Sequence, residues 1–180
     1  MEQNEYIKRA CEGDHAAFKK LVNMLEPVVA STVTGMLGQC PEAEDVGQET
    51  FIRLYYSLGK FKGKSKLKTY VTRIAINLSI NELKRRKRKN ILFGTHHEIQ
   101  DIGVEDYTIE QKEKKAAVQW ALKKLNAKHR SVIVLRLIDG YSVKETADIL
   151  NVPQGTVLSR LARAQEKLKD ILTPIIGIRK

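Results

Sequence analysis

The sequence predicts an all-α protein: two small helical domains joined by a flexible linker, the second carrying a helix-turn-helix. Three observations predict it. Apolar residues recur at helical spacing along most of the chain. Glycine and proline are sparse, 11 and 4 in 180 residues, and most sit between the periodic stretches. Asn90–Tyr107 shows no periodicity and reads as a linker, dividing the chain into 1–89 and 108–180. Each part is long enough for a small core.

The elements follow in order. Asn4–Glu12 reads as a short helix stopped at Gly13. Asp14 can cap a second helix in which Phe18, Leu21, Val22, Leu25, Val29 and Val33 repeat, with a kink or break expected at Pro27. Gly35, Gly38 and Pro41 end that segment. From Pro41 to Leu58, Ala43, Val46, Thr50, Phe51, Leu54 and Leu58 can share a buried face. The opposite stripe is Asp45, Glu49, Ile52 and Tyr56, flanked by Gln48 and Arg53. A charged stripe is usually only solvated, but an isoleucine and a tyrosine among the charges suit a docking surface with apolar anchors and a polar rim.

Leu67–Lys89 reads as a helix, broken or buried all round near Asn77, where the apolar face changes. Tyr70, Arg73, Asn77 and Lys84 lie along one edge. An aromatic ring can stack on a base, an amide can bond a base edge, and arginine can hold phosphate. The basic run Lys84–Lys89, with Arg85, Arg86 and Arg88 inside it, can track a phosphate backbone. Thr108–Leu125 reads as a helix with Ala117, Trp120, Ala121 and Leu125 inward. Lys128–Ile138 reads as another, bearing Val132, Ile133, Leu135 and Leu137, and Asp139–Gly140 turns the chain.

Tyr141–Leu168 carries the helix-turn-helix, with its helices inside 142–168. Ser142 and Glu145 form a capping box. Val143, Ala147 and Leu150 make an apolar stripe, Asn151 tolerates the left-handed conformation, and Pro153 suits the start of the next helix. In that helix Val157, Leu161, Ala164 and Leu168 face a core, while Thr156, Ser159, Arg160, Arg163 and Lys167 face outward. These are the dimensions of a helix that enters a DNA major groove. Gly155, with no side chain in the first turn, lets backbone N–H groups approach a phosphate.

Charge points the same way. The chain carries +11. Lys60–Lys89 holds 12 Lys/Arg against the single acid Glu82, so this segment carries the whole excess and the remainder balances. Such a concentration is a polyanion-binding surface. No apolar run long enough to span a bilayer and no signal-peptide pattern is present, so a cytoplasmic protein without membrane insertion is expected. Cys11 and Cys40 share no ligand spacing, and the adjacent pair His96–His97 points apart on any regular backbone. No metal, no cofactor and no catalytic residue is expected.

Four stretches carry a resemblance: AEDVGQETF (43–51), TYVTRIAINLSINELKRRKR (69–88), LNAKHRSVIVLRLIDGYS (125–142) and VPQGTVLSRLARAQEKL (152–168). In order and spacing, the chain resembles the extracytoplasmic-function (ECF) sigma factors of the bacterial sigma-70 family. The resemblance implies a non-enzymatic transcription initiation factor that binds core RNA polymerase, recognises promoter −35 and −10 elements and promotes strand opening. It implies that the Asp45–Tyr56 stripe docks on the polymerase clamp helices. The 69–88 segment would read the −10 element as single strand, with Asn77 holding a flipped base. The helix beginning near Pro153 would read the −35 duplex, and the linker would pass near the RNA exit path. An anti-sigma protein is a common partner of such factors; dimerisation is not indicated, so a monomer is expected when free. The chain departs from the family pattern at Tyr70 (usually tryptophan), Asn81 (often aspartate), Gly47 mid-helix, and Leu158 and Gln165 (usually basic). A freestanding helix-turn-helix regulator is the alternative, but such a protein has no need of the Tyr70–Lys89 segment.

Overall fold

The computed structural model describes residues 2–61, 63, 65–93 and 109–176, and all regular structure among them is helical. The elements are α1 (Glu2–Cys11), α2 (His15–Leu37), α3 (Pro41–Ser57), α4 (Leu67–Phe93), α5 (Ile109–Lys124), α6 (Ala127–Ile133), α7 (Val143–Leu150) and α8 (Gln154–Ile176). A short 3₁₀ turn, Leu58–Lys60, follows α3, and a π-helical turn, Val134–Ile138, follows α6. His96–His97 and most of the expected linker lie outside the described residues. The linker's first four residues belong to α4, because nothing in Lys89-Asn-Ile-Leu-Phe93 breaks a helix before Gly94.

Local signals act as their chemistry dictates. The Asp14 carboxylate accepts from the Ala17 N–H at 3.0 Å and starts α2. Leu21, Leu25, Val29 and Val33 are buried along it. The break expected at Pro27 does not occur. Pro27 lies on the exposed side, so its missing N–H removes one bond on the wet face, while the apolar residues before and after it share one core.

α4 is also unbroken. Its apolar face changes because the helix is covered on more than one side, by α2 and α3 of the N-terminal half and by α6 and α7 of the C-terminal half. The cores of the two halves are consequently continuous. Leu67, Val71, Ala75 and Ile76 cluster with Leu21, Leu25 and Val29 and also with Val134, Leu135, Tyr141 and Ile149. Ile149 and Thr146 give α7 a second buried side beyond the expected Ala147 stripe. Two smaller clusters lie within the C-terminal half: Leu122, Leu125, Ile133 and Ala164, and Val132, Ala147 and Val157.

One inward assignment is corrected. Trp120 is 46% exposed, its ring covered by the Lys124 ammonium at 5.0 Å, because the buried face of α5 runs through Ala121, Leu122 and Leu125. Leu137 is 54% exposed. The turn after α6 widens to i→i+5, with Asp139 N–H donating to Val134 O at 2.8 Å. This wider turn buries Val132–Leu135 consecutively and swings Leu137 outward.

The halves pack tightly where Gly35 of α2 faces Val134. A Cβ on Gly35 would stand 3.0 Å from both Val134 methyl carbons. Gly35→Ala is therefore expected to lower unfolding stability by about 1–3 kcal/mol, the usual cost of overpacking. Combined with Val134→Ala, it should cost less than the two single changes summed. Urea denaturation of the three variants checks this; strict additivity would mean that the two residues do not crowd each other.

Candidate nucleic-acid interface and docking face

Three residue sets defined from sequence occupy three surfaces. On α3, Asp45, Gln48, Ile52, Arg53 and Tyr56 are exposed and Glu49 is half-buried. Ala43, Val46, Thr50 and Leu54 hold the opposite side in the core. The Arg53 guanidinium donates to Glu49 Oε1 at 2.7 Å, one turn apart on the helix surface. Ile52 is 52% exposed and Tyr56 79% exposed. Tyr55, unmarked by the sequence pattern, packs edge-on against both Phe18 (5.0 Å) and Tyr56 (5.6 Å) and links the tyrosine to α2.

On α4, Arg73, Asn77 and Lys84 are exposed along one edge, and Tyr70 is half-buried with its ring 5.2 Å from Phe61. Asn77 stands on continuous helix, so the local irregularity expected there is absent. The basic run divides. Lys84 and Arg88 point to solvent, whereas Arg85 donates to Glu82 at 2.6 and 2.9 Å. Arg86 turns inward, reaching Glu82 at 3.0 Å, Cys40 Sγ at 3.1 Å and Glu42 at 3.4 Å, and so ties α4 to the start of α3. Burial opposes ionisation of Glu82, but the two arginines hold its carboxyl below the ordinary value. Arg86 is thereby a structural member of the run, a role hidden in sequence because Cys40 and Glu42 lie more than forty residues away.

The helix-turn-helix has the expected caps. Ser142 Oγ accepts from the Glu145 N–H at 3.1 Å and Glu145 Oε2 accepts from the Ser142 N–H at 2.9 Å. Asn151 takes φ 51°, ψ 54°, and α8 begins with the Thr156 N–H on Pro153 O. Val157 and Ala164 are buried. Gly155, Ser159, Arg163 and Lys167 are exposed, and Thr156 and Arg160 half-buried, on the far side. Leu158 is exposed among them, where a basic residue would otherwise extend the positive face. A Cβ on Gly155 would meet no atom within 4 Å, so the space before this first turn is open.

His129 of α6 joins this face and was not legible in the sequence. Burial, then Lys167, Arg163 and Arg160, push its imidazole below the ordinary value, so it is neutral at pH 7 beside the basic surface. Only the packing of α6 on α8 brings it there.

A basic edge on α4, a basic face on α8 and an exposed apolar pair on a charged stripe of α3 thus lie on the surface of one all-helical chain. The sequence signatures of Sigma-70 region 2 and Sigma-70 region 4 match residues 21–89 and 121–170. The ECF RNA polymerase sigma factor SigW of Bacillus subtilis is 36% identical over 177 residues, covering 92% of this chain and 94% of that protein. The RNA polymerase sigma-H factor of Pseudomonas aeruginosa is 30% identical over 185 residues, covering 97% and 96%. The chain belongs to the ECF sigma factors of the sigma-70 family, which sets aside a freestanding regulator.

Among solved structures, the sigma factor RpoE in complex with the anti-sigma factor NepR from Bartonella quintana aligns with a TM-score of 0.72 at 26% identity. It covers 87% of this chain and 96% of that one. CnrH in complex with the cytosolic domain of CnrY aligns at 0.73 over 97% and 99%; at 24% identity it speaks for the fold. Promoter recognition and transcription initiation are the function of the family. No described helix is long and apolar enough to cross a membrane.

The capping box supplies a pH test. Its hydrogen bonds to Ser142, backbone first, hold the Glu145 carboxyl below its ordinary value. A depressed carboxyl stabilises the fold above its unfolded pKa, and the contribution disappears as pH falls through the folded one. Ser142→Ala should cost about 0.5–2 kcal/mol at pH 7. Glu145→Gln should cost more at pH 7 than at pH 3 in urea titrations; an equal cost at both would mean that the charge does not cap the helix.

Proposed function

We propose that residues 1–89 dock on core RNA polymerase and open the promoter at −10, and that residues 108–180 read the −35 duplex, across the linker 90–107. Asp45, Gln48, Glu49, Ile52, Arg53 and Tyr56 form the docking face. The carrying observation is the exposure of Ile52 and Tyr56 on a helix whose other side is fully buried. Large apolar groups held out on a charged stripe fit the centre of an interface, where a few anchors carry most of the affinity. Tyr70, Arg73, Asn77, Lys84, Arg85, Arg86 and Arg88 form the −10 segment. Within it Arg86 acts by holding α4 on α3 rather than by tracking phosphate. Gly155, Thr156, Ser159, Arg160, Arg163 and Lys167 read −35, with His129 at their edge.

The protein works without a catalytic site of its own and in the cytoplasm, is a monomer when free, and is a candidate for capture by an anti-sigma protein. Run-off transcription from a promoter library with added core polymerase tests the whole reading, and no transcript would end it.

Two variants test its parts. Ile52→Asp should abolish holoenzyme formation while leaving helicity intact; unchanged affinity for core polymerase in a titration would remove the docking face. Asn77→Ala should leave core binding and duplex −35 binding unchanged but slow promoter opening by about 1–3 kcal/mol, the scale of one good base contact. With Asn77 exposed on straight helix, that contact forms at the helix surface, not in a pre-cut pocket. Permanganate footprinting reads it, and opening as fast as the parent would exclude a base contact.

A further inference from the structure

Leu158 has no part in the proposed −35 contact, yet it stands in the second turn of α8 and is 53% exposed. The surface of this helix is sorted by chemistry. Arg160, Arg163 and Lys167 follow one another at helical spacing along one flank and carry its charge. Beside them, over the first two turns, Gly155, Leu158, Ser159 and Ala162 fall at i, i+3, i+4 and i+7, and all four are exposed and uncharged. Leu158 is the one large side chain of these four. Gly155 and Ala162 flank it, and a Cβ on Gly155 would meet no atom within 4 Å, so the leucine stands clear of its neighbours. The Ser159 hydroxyl turns back on its own helix and donates to Thr156 O at 3.1 Å. The group that protrudes furthest from this strip is therefore apolar.

A single exposed leucine is ordinary on a protein surface. On a helix that lies in a major groove it does not stay in water. Phosphates line the rims of the groove, and its floor presents base edges, among which the thymine C5-methyl is the apolar group. A leucine pressed on a phosphate strips water from the anion and returns no hydrogen bond. Pressed on a methyl, it removes apolar area from water on both sides.

We propose that Leu158 is a specificity residue of the −35 contact and reads the C5-methyl group of one thymine in the major groove. This role rests on the proposed −35 reading of α8 and narrows it to a base type at one position. The basic residue usual in the family at this point would hold phosphate, which carries no base preference. Leu158 exchanges that charge for a choice of base.

Deoxyuridine keeps every hydrogen-bonding group of thymidine and lacks only the methyl, so it isolates the contact. The binding partner is holoenzyme reconstituted with core RNA polymerase, on a promoter fragment recovered by run-off transcription. Each thymine of the −35 element, on either strand, is replaced in turn. The parent should lose about fourfold in affinity at one thymine, the value of one methyl taken from water, and nothing at the others. Leu158→Ala, a change at an exposed position, should bind the thymine and deoxyuridine fragments alike at that point. Leu158→Lys should also lose the preference, and its log affinity should fall more steeply with log salt, by a slope of about 0.9, as one added phosphate contact requires. A parent indifferent to every methyl, or an alanine protein as sensitive as the parent, overturns the role of Leu158. An unchanged salt slope in the lysine protein overturns it too, since position 158 would then not reach DNA. Scrambling the whole −35 element separates this from the underlying reading. If scrambling weakens binding and methyl removal does not, α8 still reads −35 and Leu158 does not; if scrambling has no effect, the −35 reading itself falls.

Discussion

Arg130 is the interaction on which the arrangement of helices depends. Its side chain is buried, with the residue 6% exposed, and its guanidinium donates to three backbone carbonyls: Met36 at 2.6 Å, Lys123 at 2.7 Å and Leu125 at 3.1 Å. Met36 ends α2, and Lys123 and Leu125 lie at the end of α5, where helical carbonyls lack intrahelical partners and carry partial negative charge. One planar cation therefore completes two helix termini at once. Burial, and then the nearby Arg86, push its pKa down to about 10, so it still carries its charge at neutral pH. A truncated side chain would leave three carbonyls buried without donors, each a loss larger than an ordinary hydrogen bond. One carbonyl is in the N-terminal half and the others are in the C-terminal half, so Arg130 bridges the two halves one helical turn from Val134, which meets Gly35.

What the sequence made legible was local. Caps at Asp14 and Ser142, the left-handed Asn151, and the buried stripes of α2, α3 and α8 depend on neighbours within a few residues, and the structure has them as read. The misreadings all arise from contacts between distant segments. Pro27 does not break α2 because a core shared across it outweighs one lost bond on the wet side. Near Asn77 the sequence left two readings open, a break or a helix buried all round, and the contacts of α4 with α2, α3, α6 and α7 decide for an unbroken helix packed on several sides. Trp120 went outward because the buried face of α5 runs one residue further on, through Ala121, Leu122 and Leu125.

The candidate surfaces divide in the same way. The exposed positions of the docking stripe and of α8 follow from helical periodicity, since the opposite faces are apolar. Arg86, Tyr55 and His129 needed the fold: Arg86 finds Cys40 and Glu42 across the α3–α4 contact, Tyr55 reaches Phe18, and His129 reaches α8. The same α4 that carries the proposed −10 edge on one side contributes Val71, Ala75 and Ile76 to the common core on the other.

The central claim is that the two halves of this ECF sigma factor share a continuous core in the free protein. Native-state hydrogen exchange addresses it most directly, by comparing amides of Val71–Ser79 in α4 with those of Val132–Leu135 around the α6 turn. A shared core predicts that, as denaturant is added, both sets come to exchange through the same opening, with matching free energies. If the α6 set instead exchanged through an opening of its own, well below that of α4 and without disturbing it, the halves would be independent domains and the shared core would be contradicted.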